Sequence, residues 1–327
     1  MTGPITTVLV PLDGSELAEQ ALPLAIALAR ASDAQLHLMH VFVPYAVRAE
    51  MLGATMDNTE IERTLEEQST QYLRSVTERV ALELPGHVHA DPVRTRPIRS
   101  PYSESVAVVD RLRRAVARLH PDLIVLATHA RGGLGRAWLG SVADALIRRV
   151  NVPTLLIHPR EGTPAPASTF SHIVVPLDGS KLAEESISIA GRLAALGDAR
   201  VTLLRVVIPQ LAVGHPSVVL QFNVDQLELY HAESKRYVDS VAARYRGAIP
   251  SIESVVVIAE SPPRAILEWA EQNGADLVAM STHGRSGFRR FMLGSVADKI
   301  VRGAQVPVLL TRPGDVESPS RGDGSSR

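Results

Sequence analysis

The sequence predicts an α/β chain made of two doubly wound, five-stranded, mainly parallel sheets in tandem, Rossmann-like in outline. Three observations carry this. The chain is duplicated: Val10-Pro11-Leu12-Asp13-Gly14-Ser15 recurs as Val175-Pro176-Leu177-Asp178-Gly179-Ser180, and Leu139-Gly140-Ser141-Val142-Ala143-Asp144 as Leu293-Gly294-Ser295-Val296-Ala297-Asp298. Each copy alternates β-rich runs with helical stretches, a pattern that gives a parallel sheet covered on both faces. A stretch rich in proline, glycine and small polar residues, 160–169, separates the copies.

The duplication extends beyond the two motifs. Between residues 120–159 and 274–313, about 19 of 40 positions match, far more than unrelated sequence gives. With 327 residues and about 100–200 per domain, two domains are expected. Their bounds are 1–159 and 170–313, with 160–169 as linker and 314–327 as a polar, disordered tail. The tail carries Arg321-Gly322-Asp323, read as an accident of composition.

In the first copy, residues 6–11 form a buried strand stopped by Asp13-Gly14. Ser15 caps a helix over 16–30, with Pro23 as a kink point. A second strand spans 36–43. A helix over 61–82 has Ile61, Leu65, Leu73, Val76 and Val80 near one face. A third strand covers 88–93. Val106, Val109, Leu112, Val116 and Leu119 form a helical apolar stripe. A strand over 123–127, a helix over 142–150 and a strand over 154–157 complete the copy. The second copy repeats the order with strands at 173–176, 201–208, 254–258, 276–280 and 308–310. Right-handed crossovers then place a ligand cleft at the carboxyl ends of the strands.

Composition narrows the function. Hydrophobic residues make up 45% and charged residues 21%, as in a globular chain, and the formal net charge of -1 argues against a broad nucleic-acid footprint. There is no cysteine, which excludes disulfides, thiolate zinc sites and a cysteine nucleophile. No apolar run approaches the roughly 20 residues that cross a bilayer, and no secretory leader is evident. A cytoplasmic protein, with neither nucleic acid nor membrane as partner, is expected.

Two elements could carry chemistry. Asp178 lies just past the first strand of the second copy, where a carboxylate can accept hydrogen bonds from a ribose hydroxyl or a base. It can equally organise the Asp-Gly turn and cap the next helix. Ser281-Thr282-His283-Gly284 is followed, after Arg285, Arg289 and Arg290, by Gly294-Ser295 opening a helix. Gly284 permits close approach of backbone to an anion, and amides at a helix N-terminus favour phosphate. The alternative is a glycine-rich connection with an ordinary serine cap. Neither a Walker A loop nor a Gly-x-Gly-x-x-Gly loop is present. His129 and His283 lack a second ligand at metal spacing and read as loop-orienting residues, and Arg111-Leu112-Arg113-Arg114 as a solvated helix face. No metal site and no catalytic nucleophile is assigned.

Together these motifs make the chain resemble the universal stress protein family, in its tandem two-domain form. The family pattern is a strand ending in x-Asp-Gly-Ser and, after the fourth strand, Gly-x2-Gly-x9-Gly-Ser/Thr. The resemblance covers nearly everything but linker and tail. It implies ATP as ligand, with Mg²⁺ as accompanying ion. It also implies a role in stress response or signalling through nucleotide-dependent conformation or partner binding. Carried over, Pro176, Asp178 and Val206 hold the nucleoside, while Ser281, Gly284, Gly294, Ser295 and Val296 surround the phosphates. The first-copy equivalents are Pro11, Asp13, Val41, Ala127, Ala130, Gly140, Ser141 and Val142. Alanine at 127 and 130 departs from the pattern, and a methyl at Ala130 obstructs the phosphate approach, so the first copy is expected to be the weaker site. Gly132, Gly133 and Gly135 work in the other direction by loosening that loop. The resemblance further implies that the copies pack as an internal pseudo-dimer through their last strands; dimerisation of whole chains stays open. A slow ATPase and a nucleotide-free interaction module are the alternative functions.

Overall fold

Val8 and Val10 point to one face of the first strand and Leu9 to the other, and all three are fully buried. That is the signature of a strand covered on both sides. The computed structural model describes residues 3–42, 59–94, 104–128, 140–159, 168–209, 224–282 and 293–312. The first half runs β1 (Thr7–Leu12), α1 (Glu16–Glu19), α2 (Leu22–Ser32), β2 (Gln35–Phe42), α3 (Thr59–Glu83), β3 (Val88–Arg94), α4 (Glu104–Leu119), β4 (Leu123–Ala127), α5 (Ser141–Arg149) and β5 (Thr154–Ile157). The second repeats it as β6 (His172–Leu177), α6 (Lys181–Glu184), α7 (Ser186–Ala194), β7 (Arg200–Val207), α8 (Val224–Tyr245), β8 (Ile252–Ile258), α9 (Pro262–Gln272), β9 (Leu277–Ser281), α10 (Ser295–Gly303) and β10 (Val308–Thr311).

The two five-stranded halves join edge to edge. A single sheet results, in the order β3-β2-β1-β4-β5-β10-β9-β6-β7-β8. Within each half every pairing is parallel. The seam is antiparallel, with Leu309 opposite Leu155 and Val308 opposite Leu156. The last strands therefore form the shared interface, as expected. Both hydrophobic cores cross it. One, with α2, α3, α7 and α8, includes Leu28, Leu73, Leu155, Leu309 and Val238. The other, with α4, α5, α9 and α10, includes Leu112, Leu146, Leu156, Ile266 and Ile300.

Polar contacts cross the seam in both directions from the equivalent positions 158 and 312, though to carbonyls that are not equivalent. His158 Nε2 donates to the Val301 carbonyl at 2.6 Å, and Arg312 Nη1 donates to the Val150 carbonyl at 3.3 Å. On α5, Arg148 pairs with Asp144; on α10, Arg302 pairs with Asp298. Each arginine also feels the other helix's aspartate.

The helix after β1 is not one piece. It breaks between Glu19 and Leu22, with Pro23 in the first turn of α2. Proline is not the whole cause, because the second copy breaks at the same place, between α6 and α7, with Ser188 where the first has Pro23. There the buried Ser186 hydroxyl donates to the Ala183 carbonyl at 2.7 Å.

Candidate functional site

The turn after each first strand is built by its aspartate. Asp178 Oδ1 accepts from the Ser180 amide at 2.9 Å and from the Ser180 hydroxyl at 2.6 Å. Ser180 Oγ in turn accepts from the Ala183 amide at 3.2 Å and so caps α6. Gly179 sits at φ +90°, a conformation an L side chain would strain. Asp13, Ser15, Ala18 and Gly14 repeat the arrangement in the first copy. The turn-organising reading of both aspartates is therefore present in the structure. The ligand reading of Asp178 rests instead on where the residue stands in the second copy. The copies differ in exposure: Asp178 is half-buried and Asp13 is exposed.

Asp178 also lines a cleft of about 600 Å³ at the carboxyl ends of β6, β7 and β9. β6 lies between β9 and β7, so the cleft stands where the strand order reverses, the usual ligand position in an open α/β sheet. Pro176, Asp178, Val206, Ser281, Gly294, Ser295 and Val296 all line it, and its volume falls in the range of small-molecule sites, about 300–1,000 Å³. Val206 is the first residue of β7 past the β6–β7 register, which ends at Leu177 and Arg205, and it still pairs with Val257 on its other side.

The opposite wall is a helix start. The Gly294 amide donates to the Thr282 carbonyl at 2.9 Å, bringing the N-terminus of α10 against the end of β9. A Cβ at Gly294 would stand 3.2 Å from that carbonyl, so close approach, not an unusual φ, favours glycine there. Gly294 is the N-cap and makes no side-chain cap bond; Ser295 is the first helical residue. This replaces the serine-cap alternative. The amides of Ser295, Val296 and Ala297 belong to the first turn, where no intrahelical acceptor exists. They carry the positive end of the helix dipole to the cleft wall.

Sequence reasoning missed Arg205, Tyr230, Glu233, Ser234 and Pro262, which also line the cleft. Arg205 was the legible one, since it precedes Val206 in a strand already singled out. The others come from α8 and α9, whose facing residues no motif marks. Behind the turn, Tyr237 donates to Glu184 Oε1 at 2.9 Å and Arg244 to Glu184 Oε2 at 2.6 Å, bracing α6 against α8. Burial, and then the Glu184 hydrogen bond, push the Tyr237 phenol up, so it stays a donor.

In the first copy Pro11 and Ala127 are buried at the ends of β1 and β4. Val41 is the first residue of β2 past the β1 register, Gly140 caps α5, and Ser141 and Val142 open it. Ala130 and Gly284, the pair expected to set the two copies apart, lie outside the described residues. So do His129, His283, Gly132, Gly133, Gly135, Arg285, Arg289, Arg290, Arg321, Gly322, Asp323 and the span 160–167. Among the described residues no group of three or more histidine, aspartate or glutamate side chains is placed to hold a metal, and no helix is long and apolar enough to cross a membrane.

The family model of the "Universal stress protein family" matches twice, at residues 4–158 and 169–312. The chain belongs to the universal stress protein family. The tandem form extends to a universal stress protein of Mycolicibacterium smegmatis, 28% identical over 309 residues, which are 94% of this chain and 97% of that one. The match to Universal stress protein Rv2005c of Mycobacterium tuberculosis is also 28% identical, over 196 residues; it takes in 58% of this chain and 62% of that protein. Among solved structures, a universal stress protein from Archaeoglobus fulgidus superposes with a TM-score of 0.63 at 17% identity, covering 94% of this chain and 98% of its own. A putative universal stress protein from Pseudomonas aeruginosa superposes with 0.64 at 16% identity, covering 95% and 94%. At that identity the likeness concerns the fold, which is a tandem universal stress protein architecture.

Proposed function

We propose that the chain is an ATP-binding universal stress protein of the cytoplasm. Its second cleft is the principal nucleotide site, and the bound nucleotide sets the conformation or partners of the protein. The observation that carries this is the pairing of two unlike walls across one cleft. On one side Asp178 and the Val206 backbone offer acceptors and donors of the kind a ribose and base use. On the other, the first-turn amides of α10, with the Ser281 and Ser295 side chains, offer donors to phosphate. The family resemblance supports the same assignment, residue by residue.

Titration of the full chain with ATP, with and without Mg²⁺, tests the reading. One tight equivalent per chain is expected. A chain that binds no nucleotide would instead be an interaction module. Release of ADP during prolonged incubation with excess ATP and Mg²⁺ would make it a slow ATPase.

A further inference from the structure

We infer that Arg205 is a positioning residue for Asp178 that raises the nucleotide affinity of the second cleft through a cation that stays charged, where the first copy has a titratable histidine. The inference rests on the nucleotide reading above.

The two copies place these side chains at one structural position. In the β1–β2 register Leu12 stands opposite His40; in the β6–β7 register Leu177 stands opposite Arg205. Both reach the end of the first strand, but by different means. Arg205 Nη1 donates to the Leu177 carbonyl at 3.0 Å. That carbonyl belongs to the peptide that carries Asp178, so the guanidinium holds the carboxylate's backbone from inside the cleft it lines. His40 sits beside the matching turn, with Nε2 3.6 Å from where a Cβ on Gly14 would be and a hydrogen bond to the Asp13 backbone. Its Nδ1 meets the Ser69 hydroxyl of α3 at 2.7 Å.

The chemistry of the two ties differs. A guanidinium is protonated at every pH a cell experiences and presents a planar fork of donors. An imidazole changes charge near neutrality. Burial lowers His40, with the Asp13 backbone and carboxylate pulling the other way. The first turn is therefore braced by an uncharged ring at neutral pH, and the second by a cation. Among the described residues, the ionisable groups around Arg205 are Asp178 past β6, Glu184 on α6, and Tyr230, Glu233 and Tyr237 on α8. Around His40 they are Asp13, Glu19 on α1, and Tyr72 and Arg79 on α3. A fixed positive charge at the nucleoside end adds to the attraction for an anionic ligand and does not itself change with pH.

The test is ATP titration of the full chain and its Arg205→His, Arg205→Lys and Arg205→Gln variants at about pH 5.5 and about pH 8. Each affinity is read relative to the unaltered chain at the same pH, and thermal melts verify folding. Arg205→Lys is expected to stay within about threefold. Arg205→His should bind about tenfold more weakly at the higher pH and regain most of that at the lower; Arg205→Gln should lose about tenfold at both. Equal affinity of Arg205→His and the unaltered chain, or a loss identical at both pH values, overturns the role of Arg205 while leaving nucleotide binding intact. No ATP binding by the unaltered chain overturns both. Should Arg205→His fail to fold, the Lys-against-Gln contrast decides: equal losses overturn the inference.

Discussion

Arg192 and Asp122 tie the halves together with no counterpart among the described residues on the other side of the pseudo-two-fold. Arg192 Nη2, from α7 in the second half, donates to Asp122 Oδ1 in the first at 3.0 Å and to the Pro4 carbonyl at 2.9 Å. Asp122 is already engaged, since its Oδ2 accepts from the Thr6 amide and hydroxyl, both at 2.8 Å, and from the Thr7 amide at 3.1 Å. Asp276 repeats the backbone clamp with Ser171 and His172, but Arg192's place in the first copy is taken by Ala27.

Removing that arginine should loosen the assembly. Arg192→Ala is expected to cost about 1–3 kcal/mol in denaturant unfolding, because it leaves a partly buried carboxylate without its cation. Burial alone would push the Asp122 carboxyl up; Thr6 and Arg192 outweigh it and hold the group below its ordinary value. A depressed carboxyl stabilises the fold above its unfolded pKa, about 3.9, and the contribution is lost as pH falls through the lower folded value. The variant should therefore show a shallower loss of stability in that acid range. Equal slopes would remove Asp122 from the account.

His172 gives a second pH signature, nearer neutrality. Thr202 gives its hydroxyl proton to Glu253 at 2.6 Å, so it accepts from His172 Nε2 at 2.8 Å, while His172 Nδ1 stands between Arg200 Nη2 at 2.9 Å and the Asn273 carbonyl at 3.1 Å. Burial chiefly, and then Arg200, lower the imidazole's pKa, against the pull of the Asn273 carbonyl, Glu253 and Asp276. The folded state thus binds this proton more weakly than the unfolded state, whose value is about 6.5. The stabilisation is complete above that pH and declines below it. His172→Asn should flatten unfolding free energy against pH between about 5 and 6.5; a curve unchanged from the parent would count against the argument.

The seam is a hydrophobic contact before it is a hydrogen-bonded one. Leu155 and Leu309 are opposite each other and fully buried. Leu155→Ala is expected to cost about 2–5 kcal/mol, measured as a shift in the denaturant midpoint. The two halves should still unfold in one transition, since both cores run through the seam. Two separated transitions in the parent protein would show the halves to be independent.

Asp178→Ala combines two losses that Asp178→Asn separates. Alanine removes the acceptor for Ser180 and any ligand contact, so a drop in stability of about 1 kcal/mol should accompany a fall in ATP affinity of about tenfold. Asparagine keeps an acceptor oxygen for the turn and loses the charge. It should melt close to the parent and still bind ATP more weakly. Parent-like affinity in Asp178→Asn would return the residue to the turn alone.

Much of this is legible in the sequence. The repeat located the halves, strand alternation located the sheet, and Asp13-Gly14 with Asp178-Gly179 located the turns, because each rests on local chemistry read within a few residues. The seam followed from resemblance. What stayed hidden depends on long-range juxtaposition. Arg192 lies in a helix with no motif, and its partner is in the other half. Arg205 looked like one more residue of an apolar strand until its register against Leu177 showed which carbonyl it meets. The double helix after each first strand was half-visible: Pro23 announced one break, but Ser186, which accompanies the other, carries no breaker signal.

The antiparallel seam has a geometric corollary. Strands of one half run opposite to those of the other, so their carboxyl ends emerge on opposite rims of a single sheet. The cleft of the second half and the corresponding region of the first thus face away from each other, like the two mouths of a double-ended wrench. A partner that closes over one mouth leaves the other accessible, and a chain gripped at both becomes a connector between two bodies. Between the two mouths, α5 and α10 bring Asp144, Arg148, Asp298 and Arg302 within electrostatic reach of one another.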